Sequence, residues 1–321
     1  MDLSIVVPLF NEDESLPELV AWVDRVVKEQ GYSYEIIMVD DGSTDRSWEV
    51  VKELNTQFES VKGIRFQRNY GKSAALQVGF QATQGKVVIT MDADMQDSPD
   101  EIPELYRMIT EEGYDLVSGW KKKRYDPISK TVPSKLFNAI TRWVSGVNNL
   151  HDFNCGLKAY KSEVVKAIEV YGEMHRYIPV IANWEGFHKI GEKVVEHRAR
   201  KYGTTKFGLN RFVNGFLDLV TITVTTKYLK RPMHFFGFWG AVFSFVGAAV
   251  LIYLAFIKLV MGVGLGSRMP AMIFGAVCFL AGLMLFSTGL LAELISRNST
   301  YKNQYRVSEE IGEMATESAK G

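Results

Sequence analysis

The sequence predicts an α/β domain on a mostly parallel, Rossmann-like sheet, followed by two membrane-spanning helices. Three observations carry this. Short apolar runs alternate with helical patterns from Leu3 to Ser118, as in βαβ units. Acidic clusters follow three of the predicted strands, where parallel sheets bind their ligands. Two later runs, Phe235–Ile257 and Pro270–Ala292, are each 23 residues without Asp, Glu, Lys or Arg.

The elements follow in order. Leu3–Pro8 reads as a strand, and Glu14–Gln30 as a helix with Leu16, Leu19, Val20, Val23, Val26 and Val27 on one side. Tyr34–Val39 is the second strand. Thr44–Phe58 is a helix that Ser43 or Thr44 can cap. Val61–Phe66 (strand), Ser73–Ala82 (helix), Lys86–Met91 (strand), Pro99–Ile109 (helix) and Asp115–Ser118 (strand) complete the series. Residues 1–206 form the expected catalytic domain.

Segment 207–231 carries Phe207, Leu209, Phe212, Val213, Phe216, Leu217, Leu219 and Val220 among Arg211 and Lys227. That pattern reads as amphipathic helix at a membrane surface, with packing against the sheet as the alternative. In 232–296 only Lys258, Arg268 and Glu293 are charged. At ~1.5 Å rise, about 20 apolar residues cross a ~30 Å hydrocarbon core, so both runs are long enough to span; paired core helices are the alternative. Gly237, Gly240, Gly247, Gly275, Gly282 and Gly289 suit close helix packing and leave a homo-oligomer open. Lys227, Lys230 and Arg231 precede the first run, and Arg297, Lys302 and Arg306 follow the second. Positive-inside bias then puts the catalytic domain and both termini in the cytoplasm, at the inner membrane. The N-terminus lacks the basic start of a signal peptide. Residues 297–321 are expected to form a polar tail, disordered from Ser308 onward. Asn298-Ser299-Thr300 matches a glycosylation sequon that would be inert on a cytoplasmic tail.

Composition narrows the function. The 321 residues hold 37 basic and 37 acidic side chains, which argues against a nucleic-acid binder driven by bulk charge. Two cysteines, Cys155 and Cys278, are too few for a disulfide scaffold. Histidines 151, 175, 188, 197 and 234 lack paired metal-ligand spacing and read as structural or phosphate-proximal. The informative motifs are Val7-Pro8-Leu9-Phe10-Asn11-Glu12, Val39-Asp40-Asp41-Gly42-Ser43-Thr44-Asp45, Asn69-Tyr70-Gly71-Lys72-Ser73 and Asp92-Ala93-Asp94-Met95-Gln96-Asp97. Two carboxylates two residues apart at a strand end can share a hard cation, Mg²⁺ or Mn²⁺, with phosphate oxygens; a solvated acidic turn is the alternative. Gly71-Lys72-Ser73 is not a P-loop, because position 66 is Phe where that motif needs Gly. Its helix start can still lie near a nucleotide.

Taken together and in this order, the four motifs resemble family 2 glycosyltransferases of the GT-A fold over residues 1–120. Trp120-Lys121-Lys122-Lys123-Arg124, His151–Lys158, His197-Arg198 and Lys201–Lys206, followed by two spans, extend the resemblance to polyprenyl-phosphate glycosyltransferases over about 1–300. It implies that Asp40 and Asp41 hold base and ribose, with Pro8, Phe10, Glu12, Lys72 and Ala93 alongside. It implies a metal at Asp94 and Gln96, with Asp92 nearby. Lys121, Arg124, Lys135, Arg198, Arg200, Lys201 and Lys206 would grip the diphosphate and the lipid phosphate, although many relatives carry Arg where this chain has Trp120-Lys121. A solvated charge run is the alternative for 121–124. Asp152 would be the base or would position the acceptor; a turn cap is the alternative.

The implied reaction is inverting transfer of a sugar from a nucleotide sugar to a polyprenyl phosphate such as undecaprenyl phosphate. UDP-glucose is the first choice of donor, with UDP-GlcNAc, UDP-galactose, a UDP-aminoarabinose derivative and GDP-mannose open. A processive polysaccharide synthase would need Gln-x-x-Arg-Trp, and Ala139 precedes Arg142-Trp143 here. A non-catalytic membrane scaffold is the third reading, and the intact Asp92, Asp94 and Gln96 argue against it.

Overall fold

A computed structural model describes residues 1–122, 141–142, 145–196, 198, 232–262, 264, 266–298 and 305–312. Two units are present, one holding the N-terminal residues and the last strand, the other the two long helices. The sheet of the first unit contains β1 (Leu3–Leu9), β2 (Tyr34–Asp40), β3 (Val61–Phe66), β4 (Val87–Thr90), β5 (Leu116–Trp120), β6 (Lys158–Lys161), β7 (Ile190–Val194) and β8 (Val307–Ile311). Its helices are α1 (Leu16–Glu29), α2 (Ser47–Gln57), α3 (Lys72–Ala82), α4 (Ile102–Thr110), α5 (Ser162–Ala167) and α6 (Ile178–Trp184).

The strand order is β7-β5-β6-β4-β1-β2-β3-β8. β4, β1, β2 and β3 are mutually parallel, as is the β5/β7 pair; β6 runs antiparallel to β4 and β5, and β8 antiparallel to β3. β1 lies inside the sheet, so both its faces are covered and its apolar run does not alternate: Leu3, Ile5, Val6, Val7 and Leu9 are all buried. α1 shows the opposite pattern. One stripe from Leu16 to Val27 is buried against the sheet, Pro17 sits in its first turn, and Gly31 at φ 71° follows its end. Lys166 of α5 caps the end of α3 by donating to the Phe80, Gln81 and Thr83 carbonyls at 2.8, 2.9 and 3.0 Å.

Two expectations are corrected. α2 starts at Ser47 and neither Ser43 nor Thr44 caps it, because both are engaged across the strand ends. The Asp45 carboxylate accepts the Ser47 N–H at 2.9 Å instead. The tail is not disordered from Ser308: residues 307–311 form β8. Glu309 accepts the indole N–H of the fully buried Trp48 at 2.7 Å and pairs with Lys52 at 2.6 Å.

The second unit is a pair of 30-residue helices, α7 (Pro232–Met261) and α8 (Met269–Asn298). Both are long and apolar enough to cross a membrane, and only 22 % and 17 % of their most apolar windows are buried, unlike core helices. They meet along small residues. A Cβ on Gly247 would stand 2.4 Å from Phe279 N and 2.7 Å from Gly275 O; one on Gly282 would stand 2.4 Å from Ser244 N and 2.6 Å from Gly240 O. Gly240 and Gly247 are seven apart, as are Gly275, Gly282 and Gly289, so one seam is kept over the contact. Segment 207–231 lies outside the described residues.

Gly247→Leu forces these backbones apart, and overpacking of this kind costs about 1–3 kcal/mol. The expected result is a lower Tm in detergent, whereas Phe245→Leu, on a face that is 76 % exposed, leaves Tm unchanged.

Candidate active site

The direction of the strands decides where the chemistry gathers. From β1 the chain winds to β2 and β3 on one side, then returns to β4 on the other side of β1. The loops after β1 and β4 therefore leave in opposite directions and open a crevice, the usual ligand site of such sheets. A cleft of about 330 Å³ lies there. It is lined by Pro8, Phe10 and Glu12 after β1, Asp41 after β2, Lys72 at the start of α3, and Asp92, Ala93 and Asp94 after β4.

Hydrogen bonds hold these strand ends together. Asn11 adopts φ 57°, which Asn tolerates better than most residues. Its N–H donates to Ser43 Oγ at 2.9 Å, and its Oδ1 accepts the Thr44 N–H at 2.8 Å. Asp41 accepts the N–H groups of Tyr70 at 2.7 Å and Gly71 at 2.9 Å on its two oxygens. Burial pushes its carboxyl up, and these donors pull it back. Asp40 is different. Fully buried, it accepts the Ser43 N–H at 2.8 Å, lies 3.5 Å from Arg65 and is absent from the cleft lining. Of this pair Asp41 lines the cleft, while Asp40 holds the loop through Ser43.

Asp92 is ion-paired with Lys72. Burial opposes its charge, yet Lys72, aided by Lys121 and Lys158, holds its carboxyl well below the usual range. Asp94 is pushed the other way, by burial first and then by the charge of Asp92. Gln96 takes part through its backbone, donating its N–H to Asp94 Oδ1 at 3.2 Å and accepting the Arg198 N–H at 3.0 Å; it does not line the cleft. Lys121 pairs with the buried Asp97 at 2.8 Å, and that carboxylate raises its pKa despite burial.

The antiparallel β6 brings in the end of the 151–158 segment. Because it runs against β4, the residues that precede it lie beside the loop after β4. Asn154, Gly156 and Lys158 thus line a small recess with Lys72 and Asp92, and His175, from the turn Met174–Arg176, joins them. Lys158 is buried, donates to the Cys155 carbonyl, and has its pKa lowered by that burial. His175 contacts Ser73 Oγ at 3.1 Å; burial, with Lys72 and Arg176 nearby, pushes it far down and leaves a neutral imidazole. Burial pushes the Cys155 thiol up to about 12, which removes it as a nucleophile. The segment 151–158 was marked by resemblance alone, and no spacing in the sequence says that Lys158 and His175 meet at Asp92.

Two further candidate residues lie outside the cleft lining. Asp152 is buried, and its Oδ1 accepts the Asn154 N–H at 3.0 Å. Glu192 fixes that turn by accepting the N–H groups of His151 and Asp152 at 2.7 and 3.0 Å. The Arg198 guanidinium lies over the Trp22 ring, 4.4 Å from its centroid, and 3.6 Å from Glu196. Arg124, Lys135, Arg200, Lys201 and Lys206 lie outside the described residues.

A metal fits the donor set. Among the described residues no group of three His, Cys, Asp or Glu could hold an ion unaided. The cleft lining nevertheless carries four carboxylates, Glu12, Asp41, Asp92 and Asp94, against one ammonium, Lys72. Hard oxygen ligands of this kind suit Mg²⁺ or Mn²⁺, with ligand phosphates completing the shell.

Known proteins resemble this chain. The family model described as Glycosyl transferase family 2 matches residues 4–169. Dodecaprenyl-phosphate galacturonate synthase of Rhizobium johnstonii is 36% identical over 92% of this chain and 88% of its own. Undecaprenyl-phosphate 4-deoxy-4-formamido-L-arabinose transferase of Edwardsiella ictaluri is 34% identical over 92% of this chain and 89% of its own. A solved glucosyl-3-phosphoglycerate synthase of Mycobacterium tuberculosis, in complex with Mn²⁺, UDP-glucose and phosphoglyceric acid, superposes with TM-score 0.54 at 17% identity, over 70% of this chain and 79% of that one. That likeness bears on the fold alone. The family match spans more than half the chain and the relatives align along nearly all of it, so the chain belongs to glycosyl transferase family 2 and is a glycosyltransferase.

Proposed function

We propose that the protein transfers a sugar, with inversion, from a UDP-sugar to the phosphate of a polyprenyl phosphate such as undecaprenyl phosphate. The observation that carries this is the likeness to two polyprenyl-phosphate transferases along domain and helices together. The cleft gives it a place. Phe10, 40 % exposed at the mouth, offers a ring to the base, and Asp41 an acceptor to base or ribose. A cleft dominated by carboxylates repels a diphosphate, and a divalent cation on Asp94 and Asp92 offsets that charge. When bound, the cation supplies charge stabilisation to the leaving diphosphate. Lys72 keeps Asp92 ionised and oriented. An oxygen of the lipid phosphate bonds to the anomeric carbon while the bond from that carbon to the UDP oxygen breaks. The attacking oxygen is already anionic near neutral pH, so no strong base is required, and Asp152 serves as base or as the group that positions the acceptor.

The sequence favours UDP-glucose. The names of the relatives add galacturonate and 4-deoxy-4-formamido-L-arabinose as sugars to test. Lys121 and Arg198 are paired with Asp97 and Trp22, so gripping the acceptor phosphate falls to Arg124, Lys135, Arg200, Lys201 and Lys206. The two helices span the inner membrane, with both termini cytoplasmic.

The deciding assay offers purified protein, undecaprenyl phosphate and Mg²⁺ or Mn²⁺ to labelled UDP-sugars. Label in the lipid phase with one of them is expected; none with any sugar nucleotide overturns the reading. Asp94→Ala is expected to lower turnover by about 10²-fold or more, as for other groups that stabilise developing charge, and to abolish the metal dependence of UDP binding measured by calorimetry. Turnover like that of the unsubstituted enzyme would remove Asp94 from the metal site. Gly156→Ala places a Cβ 2.5 Å from the Asp92 carboxylate. It is expected to weaken UDP-sugar binding and turnover together with little change in Tm, since Asp92 is displaced at the cleft and not in the core.

A further inference from the structure

We propose that the C-terminal segment, through Tyr305 and β8, is a positioning element of the nucleotide site, setting the loop that delivers two N–H groups to Asp41 and begins the helix carrying Lys72. The inference rests on the donor-site reading above and adds to it a part of the chain that follows the two apolar helices.

The contacts run without a break. β8 pairs antiparallel with β3 from Gly63 to Phe66, and the pairing continues where the Gln67 N–H donates to the Arg306 carbonyl at 3.0 Å. Ser308 Oγ donates to the Arg65 carbonyl at 3.1 Å. Tyr305 then stacks on Phe66, with centroids 5.8 Å apart, and meets Tyr70 edge-on at 5.6 Å. Phe66 and Tyr70 are themselves edge to face at 5.5 Å, and the Arg68 guanidinium lies 4.7 Å from the Tyr70 centroid. Tyr70 is therefore held between the last residue of β3 and the C-terminal segment. Its N–H and that of Gly71 bond to Asp41, and Lys72, which follows at once, pairs with Asp92. Asp41, Lys72 and Asp92 all line the cleft.

A loop of five residues between a strand and a helix has few ways of its own to fix two amide directions. Two aromatic neighbours on Tyr70 supply that fixation. Edge-to-face and offset ring pairs contribute about 0.5–1.5 kcal/mol each beyond area burial. Through Asp41 this organises the wall against which the nucleotide binds.

The test uses the full-length protein in detergent and reads UDP affinity by calorimetry, KM for undecaprenyl phosphate, and amide hydrogen exchange over residues 67–72. Tyr305→Ala is expected to raise the UDP Kd about threefold to tenfold, to speed exchange in 67–72 and to leave the acceptor KM unchanged. Tyr305→Phe keeps both ring contacts and is expected to restore affinity and protection. If Tyr305→Ala does not fold, Tyr305→Leu keeps apolar volume without a ring, and the same rise in UDP Kd is expected of it. UDP affinity and exchange equal to the unsubstituted protein overturn the inference, as does an equal rise in acceptor KM. Failure of the unsubstituted protein to bind UDP overturns the donor-site reading itself.

Discussion

The ion pair between Lys72 and Asp92 is the interaction on which the site depends. Its two side chains keep 33 % and 31 % exposure, so its contribution to stability is at most about 1 kcal/mol. Its consequence is electrostatic. Asp92, Asp94 and Asp97 lie within six residues of one another, and the cations beside them offset the repulsion between neighbouring carboxylates. Lys72 comes from the start of α3, Lys121 from just beyond β5, and Lys158 from the start of β6. The strand order β5-β6-β4-β1 brings those three elements around the loop after β4. The recess also needs residue 156 to be glycine, because any side chain there would meet the Asp92 carboxylate. Topology, charge and one missing Cβ thus converge on a single carboxylate.

Much of this was legible in the sequence, for physical reasons. Strands buried on both faces write themselves as unbroken apolar runs, and the strand and helix series to Ser118 is present in the structure with ends shifted by a few residues. The acidic clusters were legible because they follow those runs directly. What a run cannot show is which of two adjacent acids faces a ligand. Asp40 closes β2 and turns to Ser43 and Arg65; Asp41 turns to Tyr70 and Gly71. Lys158 and His175 were illegible for another reason. Lys158 reaches Asp92 because β6 runs antiparallel between two strands, and strand direction is not encoded in a four-residue segment; His175 arrives from the turn Met174–Arg176, held on α3 through Ser73. Arg198 shows a third limit. A basic residue near a phosphate site can be drawn to an aromatic ring instead, and Trp22 lies 176 positions before it in the chain.

β8 was the least legible element, and its chemistry explains why. Val-Ser-Glu-Glu-Ile reads as a solvated tail, since two of its five residues are acidic. At a sheet edge such residues suit the strand: charge on an edge discourages pairing with other molecules. Glu309 also satisfies the indole N–H of Trp48, a buried donor that would otherwise cost about 1–3 kcal/mol. A residue that looks like tail solubility locally is, in the fold, the partner of one of the largest side chains in the core.

The pairing of β8 with β3 further constrains the path of the chain. Residues before the two long helices and residues after them belong to one hydrogen-bonded sheet. A sheet cannot continue across a bilayer, because unpaired backbone groups in hydrocarbon cost several kcal/mol each. Helices that crossed a membrane from this sheet would therefore leave from and return to the same side, in two crossings and not one. That condition comes from hydrogen bonding alone and is independent of the count of flanking Lys and Arg. The glycine seam suits such a path, because it lets two antiparallel helices pack closely enough to return the chain as a tight hairpin.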